Sequence, residues 1–474
     1  MAAPLSGKKI AKNAAMSVTA QLVSVLVGFV LNLVVPKYIS EYDYSYWQTF
    51  LLYSQYLGIL HFGLLDGIVL RYSQYDYGEL DKKSVRSQYL AVMAADLVLS
   101  LVLLFWALFF FTGVNRVLGI LLACTICIEI SYNYISFTFQ ITNRIFRYVA
   151  YIAAYRTVYC ILVLGCLIAG LGEYYWFCMV YLAADLAVIL YFGLRYSREL
   201  LVGRLLPAGT LLKELKESIS VGIWLMLSSY AANFLVGSGK MIIQWRWGAL
   251  TFGKISLAFS LSSFVLQFVT AVSVVLFPSI KRMDAGKLPD MYCKIRNAIS
   301  PLMFLAMIFY YPGCVLLELW LPKYVESVRY LGILLPIVIY TSKVSLLTNN
   351  YLKAYRKERA MLLINVGSVV FGAALFLICA WGVGSLTALL VAIVLVIMLR
   401  SVLSEIIVTR VIGIRLWKEF VLEFAMTVLF MTGAALPVRW QGCLLYGLCL
   451  GVYYYIKRRE IRGLFRSVHK KKAD

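Results

Sequence analysis

Asp96, Glu129, Arg156 and Asp185 stand in the middle of long apolar runs, where no water is at hand to solvate them. Three acids against one base leave surplus negative charge, which must be protonated or neutralised by a bound cation. Glu129 also opens a polar stripe with Asn133, Ser136 and Gln140, at spacings of four, three and four residues, which is one face of a helix. Two readings follow. Either the acids and Arg156 form a static ion-pair network that holds helices together, or they exchange a coupling ion, proton or sodium. Such exchange draws about 2.3 kcal/mol per charge from each 100 mV of membrane potential. Under the second reading Glu129 and Asp185 are the leading carriers and Asp96 the next.

Basic residues inside apolar runs include Arg156, Lys240, Lys254, Lys343 and Arg400. Lys240 and Lys254 lie near the ends of their runs, so their ammonium groups can snorkel to lipid headgroups, and Arg400 is expected to reach Glu405. Arg156 and Lys343 are too deep for that; at 1.5 Å per residue Arg156 lies about 12 Å in. A cleft holding unpaired cations suits an anionic cargo, because the attraction offsets their dehydration. Uncharged polar residues also recur at helical spacing. Gln21 and Asn32 belong to such a stripe in the first run, Ser229 and Asn233 to one in the seventh, and Ser260 and Gln267 to one in the eighth. Gln48 and Gln55 complete the set in the second run. Small polar residues commonly glue helices together, but stripes on corresponding helices of two halves favour a shared hydrophilic cleft.

Other chemistries find little support. Histidine occurs twice, as His61 and His469, so a histidine-based metal site is not expected and no metal is assigned. Cys124 and Cys127 form a C-x-x-C pair without a second pair or a nearby histidine; the ten cysteines read as small packing residues. The spacing leaves short loops with no room for a folded catalytic domain or a nucleotide site. No cofactor is expected beyond the coupling ion, and the chain reads as a transporter rather than an enzyme.

The elements that must position these residues are membrane helices. Of 474 residues, 62% are hydrophobic and 14% charged, with a mean hydropathy of +0.82, far from the roughly 25% charged of ordinary soluble domains. Apolar runs predict fourteen spans, near 14–36, 46–70, 88–112, 117–140, 148–171, 174–194, 218–243, 252–279, 298–320, 328–352, 360–381, 385–409, 419–437 and 441–456. With the N-terminus inside, 34 of the 45 Lys and Arg fall in inner segments, a positive-inside bias that puts both termini in the cytoplasm. The net charge of +22 is therefore a matter of topology and anionic lipid rather than of nucleic acid. A shift of about 208 residues lays spans 1–6 on spans 7–12, as parallel repeats. The expected organisation is a six-helix bundle at 1–194, a linker at 195–217, a second bundle at 218–409, two extra helices at 410–456 and a basic tail at 457–474. Under the shift, the positions of the first-half charges carry Phe304, Ile337, Ile364 and Ile393. Pro36, Pro278, Pro312 and Pro336 are expected to bend their helices.

The stretch Tyr46-Trp47-Gln48-Thr49-Phe50 through Gly63-Leu64-Leu65-Asp66-Gly67-Ile68-Val69-Leu70-Arg71-Tyr72 resembles the second helix of bacterial polysaccharide flippases. Their superfamily also contains multidrug-and-toxin extruders and flippases of lipid-linked peptidoglycan precursors. Asn350-Tyr351-Leu352-Lys353-Ala354-Tyr355-Arg356-Lys357-Glu358-Arg359 is similar to the family's junction between helices 10 and 11. The resemblance implies an all-α polytopic fold, with two six-helix bundles forming a V around a cleft lined by helices 1, 2, 7 and 8. It implies a cargo too: an oligosaccharide on an undecaprenyl diphosphate carrier, turned from the inner to the outer leaflet by alternating access. In that frame Arg71 sits at the cytoplasmic mouth, Lys240 and Lys254 fall on cleft helices, and Asp66 joins the coupling-ion candidates. The implied setting is the bacterial cytoplasmic membrane, with membrane lipids and glycan polymerase or assembly proteins as further partners. The competing expectations are a cation-coupled drug extruder, which would prefer an acidic, aromatic pocket, and a membrane scaffold for glycan assembly.

Overall fold

The computed structural model describes residues 23–473 except 74, 76, 143, 282–285, 287 and 356, and leaves out the side chains of 145, 265, 267–281, 358, 461 and 463–473. Gln21, Gln267 and the Pro278 side chain fall outside the described residues. Among those described, the secondary structure is helical throughout, as every backbone group in lipid must be satisfied within its own segment. Besides a single turn at Arg198–Leu201, fourteen helical segments follow one another among the described residues: α1 (Val23–Tyr38), α2 (41–72), α3 (Lys82–Phe110), α4 (Gly113–Ile141), α5 (Ile145–Ile168), α6 (Tyr174–Tyr196), α7 (208–247), α8 (249–281), α9 (Leu288–Trp320), α10 (322–354), α11 (Arg359–Val383), α12 (Leu386–Ile412), α13 (Trp417–Ala435) and α14 (Arg439–Ala473). They occupy the places read from the apolar runs, and the chain is a multi-pass membrane protein.

By length and apolarity alone eight helices among the described residues qualify as spans, or nine with the bent pair of α10. The difference from fourteen has local causes. Residues 208–264 pass as one helix of 57 residues, yet the chain reverses at Gly248, whose φ of 84° suits a residue without Cβ. Lys240 and Phe259 would be about 28 Å apart along a straight helix, whereas the Lys240 ammonium is 4.7 Å from the Phe259 ring centre. α2 is broken by a 3-10 turn at Gly58–His61, so neither limb spans alone. α10 bends by 44° between Leu334 and Ile337, at Pro336, as the missing amide predicts. α13 carries Lys418, Glu419 and Glu423, too many charges for an apolar window.

Two compact units divide the chain, Met1–Asn233 and Phe234–Asp474. The boundary falls within α7, later than the 195–217 segment expected as a linker, because the first limb of α7 packs on α2 without clearance. A Cβ on Gly67 would lie 1.9 Å from the Ser218 carbonyl oxygen, and one on Gly222 would lie 2.0 Å from that of Gly63. Glycines four apart permit this backbone-to-backbone contact. The 195–217 segment is itself tied to α3: the Arg86 guanidinium donates to the carbonyls of Glu199 at 2.7 Å, Val202 at 3.0 Å and Arg204.

The first unit is centred on tyrosines. Tyr89 and Tyr134 stack at 3.9 Å, packed with Leu64, Ile68, Phe139 and Tyr151. In the second unit Tyr292, Leu347, Tyr351 and Val408 form a smaller cluster. Large apolar side chains are exposed along α3, among them Leu97, Leu101, Phe105 and Phe109, as expected of a face turned to lipid. All ten cysteines are free thiols.

Candidate functional site

The first unit brings the midspan acids of α4 and α6 into one tyrosine-lined region. Glu129 accepts a hydrogen bond from Asn133 Nδ2 at 3.1 Å, the i, i+4 contact implied by its stripe, and from the Tyr181 hydroxyl at 3.5 Å. Tyr181 in turn is ringed by Phe50, Tyr155 and Tyr159, with ring centres 5.5–6.0 Å away. The Trp47 indole donates to the Tyr159 hydroxyl at 3.1 Å, fixing that ring. Asp185 is within electrostatic range of Glu129, and Tyr132 is within range of Glu129, Asp185 and Arg156 together.

What distinguishes these acids is how little they are paired. Among the described residues, Asp185 is 1% exposed and its Oδ2 finds no hydrogen-bond partner; Asp96, also 1% exposed, finds none for either oxygen. Arg156 is half-buried, and among the described residues no carboxylate lies within 4 Å of it. The static ion-pair network that three acids and one arginine might have formed is therefore not made at salt-bridge distance. A buried carboxylate without a donor is held neutral by a proton or neutralised by a cation. No cluster of three or more His, Cys, Asp or Glu suited to a metal ion occurs among the described residues.

The second unit has a charged core of the opposite kind, made by residues that are far apart in sequence. Arg296 of α9 donates from Nε to Glu405 at 2.7 Å, from Nη1 to Glu419 at 2.9 Å and from Nη2 to Glu423 at 2.8 Å. Lys343 of α10 bridges Glu405 at 2.5 Å and Glu423 at 2.6 Å, and Lys457 of α14 pairs with Glu419 and with Glu460. Tyr292 and Ser300 add hydrogen bonds to Glu405 and Glu423. Arg296, Lys343, Glu405 and Glu423 are at most 2% exposed, and three cations meet three buried or half-buried glutamates. The expectation of an unpaired Lys343 is corrected by this geometry: both its neighbours are carboxylates. Arg400, expected at Glu405, donates instead to Asn365 at 3.0 Å, because Arg296, Lys343 and Tyr292 occupy Glu405.

The remaining site residues scatter. Arg71 is neutralised by Glu214 at 2.8 Å and Glu217 at 2.9 Å, and also donates to Ser218, so it ties the end of α2 to the start of α7. Lys254 pairs with Glu326 at 2.8 Å. Lys240 sits over Phe259 with no carboxylate within 4 Å among the described residues. Asp66 faces His61 across 3.7 Å. Asn32 donates to its own helix at Gly28; Gln48 is buried, Ser260 half-buried, and Gln55, Ser229 and Asn233 are exposed. Sequence reasoning passed over His61, Arg296, Glu419 and Glu423. Glu419 and Glu423, four apart on one face of an apolar helix, were the available signal for the last two.

The family profile described as Polysaccharide biosynthesis protein matches residues 10–284. Among solved structures the chain is similar to the lipid II flippase MurJ in an inward closed conformation, with a TM-score of 0.66 and 12% identity over 93% of this chain and 99% of that one. It is also similar to a multidrug resistance MATE family transporter of the MOP superfamily. The inward-facing form gives a TM-score of 0.60 at 14% identity, covering 84% of this chain and 98% of that one. The outward-facing form gives 0.55 at 13%, covering 85% and 96%. At such identities the likeness is one of fold. No curated protein matches the sequence. The profile covers more than half of an all-helical, multi-pass chain whose second helix already resembled polysaccharide flippases, and the chain belongs to the polysaccharide biosynthesis protein family.

Proposed function

We propose that this protein is a flippase for a lipid-linked oligosaccharide, carrying an undecaprenyl-diphosphate-borne repeat unit from the inner to the outer leaflet of a bacterial cytoplasmic membrane. The reading is carried by family membership: polysaccharide synthesis assigned to a chain built almost entirely of membrane helices leaves movement of a lipid-borne glycan as the step such a chain suits. Within the first unit Arg156, a midspan cation with no carboxylate within 4 Å among the described residues, is the group offered to the diphosphate. Glu129 and Asp185 are proposed to carry the coupling ion, with Asp96 held in reserve, and both termini lie in the cytoplasm. Deleting the gene should trap lipid-linked oligosaccharide on the inner leaflet, measured by extraction and leaflet-selective labelling. Normal glycan export in the deletion strain would overturn the cargo assignment.

One observation favours a second reading. The acids of the first unit lie among Tyr132, Tyr155, Tyr159 and Tyr181, and an acidic, aromatic surround suits an organic cation. A drug extruder would leave the glycan untouched on deletion and raise sensitivity to cationic dyes instead.

A further inference from the structure

The break in α2 holds a histidine that the functional reading does not use. His61 is 3% exposed. The Gly63 amide donates to its Nδ1 at 3.0 Å, so the neutral ring carries its proton on Nε2, the nitrogen 3.7 Å from Asp66 Oδ2. The turn is strained: Phe62 has φ 49° and ψ 32°, a region bulky side chains avoid. A 3-10 turn inside a longer helix is also a frequent hinge.

The break is packed against α4 and α7. The Tyr230 hydroxyl and the Asn133 amide flank Gly58, lying 2.2 and 3.5 Å from where a Cβ would stand. The Tyr230 ring centre is 6.5 Å from that of His61, and Asn133 donates to Glu129. Hydrogen-bonding groups thus stand between Glu129 and the imidazole. The ionisable groups around the ring are Asp66 on its own helix, Tyr230 of α7, and Glu129 of α4 behind Asn133. α3 also packs on this turn, and its buried ionisable side chains are Arg86, Tyr89 and Asp96.

We propose that His61 is a proton-operated latch on the break of α2. The position open to an incoming proton is Nδ1, whose lone pair now accepts the Gly63 N–H. A proton delivered from water forms the Nδ1–H bond, and the Gly63 N–H···Nδ1 hydrogen bond breaks because two donors then face each other. The Asp66 carboxylate beside Nε2 balances the imidazolium charge. Release of the bond removes the restraint on the strained Phe62, and Gly63, in backbone contact with Gly222, passes the change to α7. The proposal rests on the coupling reading of the first unit and deepens it: the ion that moves the helix is a proton.

With two histidines in the chain, His469→Ala leaves His61 as the single imidazole signal. Solid-state ¹⁵N NMR of that full-length protein in phosphatidylethanolamine–phosphatidylglycerol vesicles reads the tautomer directly. The expected result is Nε2–H at alkaline pH and a charged ring in acid, with the Gly63 amide resonance moving over the same range. Asp66→Asn should demand about tenfold more acid to charge the ring. An Nδ1–H tautomer, or a titration that Asp66→Asn leaves unmoved, would overturn the latch. Should Asp66→Asn not fold, His61→Gln keeps an acceptor but no titratable group, and the Gly63 amide should then ignore pH; movement over the original range sinks the proposal. None of these readings needs cargo, so they fail separately from the flippase assignment, which rests on the deletion, and from coupling, which rests on Glu129 and Asp185.

Discussion

The two units handle buried charge in opposite ways. In the second, Arg296, Lys343 and Lys457 meet Glu405, Glu419 and Glu423 at salt-bridge distance and the charges cancel. In the first, Glu129, Asp185 and Asp96 have few donors or none, and Arg156 stands apart from them. A balanced network has only one stable protonation state, because every proton added or removed breaks an ion pair. An unbalanced cluster has several states close in free energy and can exchange an ion at little cost. The difference separates a half whose buried charges are paired from a half whose buried acids are not.

The largest effect is expected at Arg296. Arg296→Met removes one cation and leaves Lys343 and Lys457 to balance three glutamates, one buried negative charge in excess, so it should destabilise the protein by about 3–5 kcal/mol, read as a fall in thermal midpoint in detergent. A loss below about 1 kcal/mol would mean that the network does not brace the unit. In the first unit the pattern should reverse. Glu129→Gln and Asp185→Asn should leave the thermal midpoint within about 1 kcal/mol, the scale of one neutral hydrogen bond, while abolishing transport driven by an imposed ion gradient. Wild-type responses to both proton and sodium gradients would return these acids to a packing role. The smallest effect is expected at the surface. Lys82 hydrogen-bonds Glu199 and holds its carboxyl below the ordinary value of 4.5. A depressed folded-state value stabilises above the unfolded value and is lost as pH falls through the folded one. Acid below about pH 4.5 should therefore remove a contribution that Lys82→Ala removes at every pH, barely detectable in thermal melts.

The helices were legible because apolar runs and helical spacing are local signals, and so was the Glu129–Asn133 contact, made within one helix. Arg71 and Lys254 could be placed on their helices but not given partners, since Glu214 and Glu326 come from other segments. The second-unit network was hidden for the same reason: the partners of Arg296 lie 109, 123 and 127 residues away, and no repeat carries them. His61 was passed over because its two contacts look like nothing in sequence: a backbone amide two residues on and an acid five residues on.

The network also sets an order of assembly. Helices enter the membrane as they are synthesised, from the N-terminal end, so Arg296 and Lys343 arrive before Glu419 and Glu423. Until α13 inserts, those two cations share the single carboxylate of Glu405. The nascent chain therefore carries an uncompensated charge in its interior until α13 is in place. α13 supplies the carboxylates that complete the neutralisation of Arg296 and Lys343, and a reporter fused after Ile412 would report on a chain that lacks them.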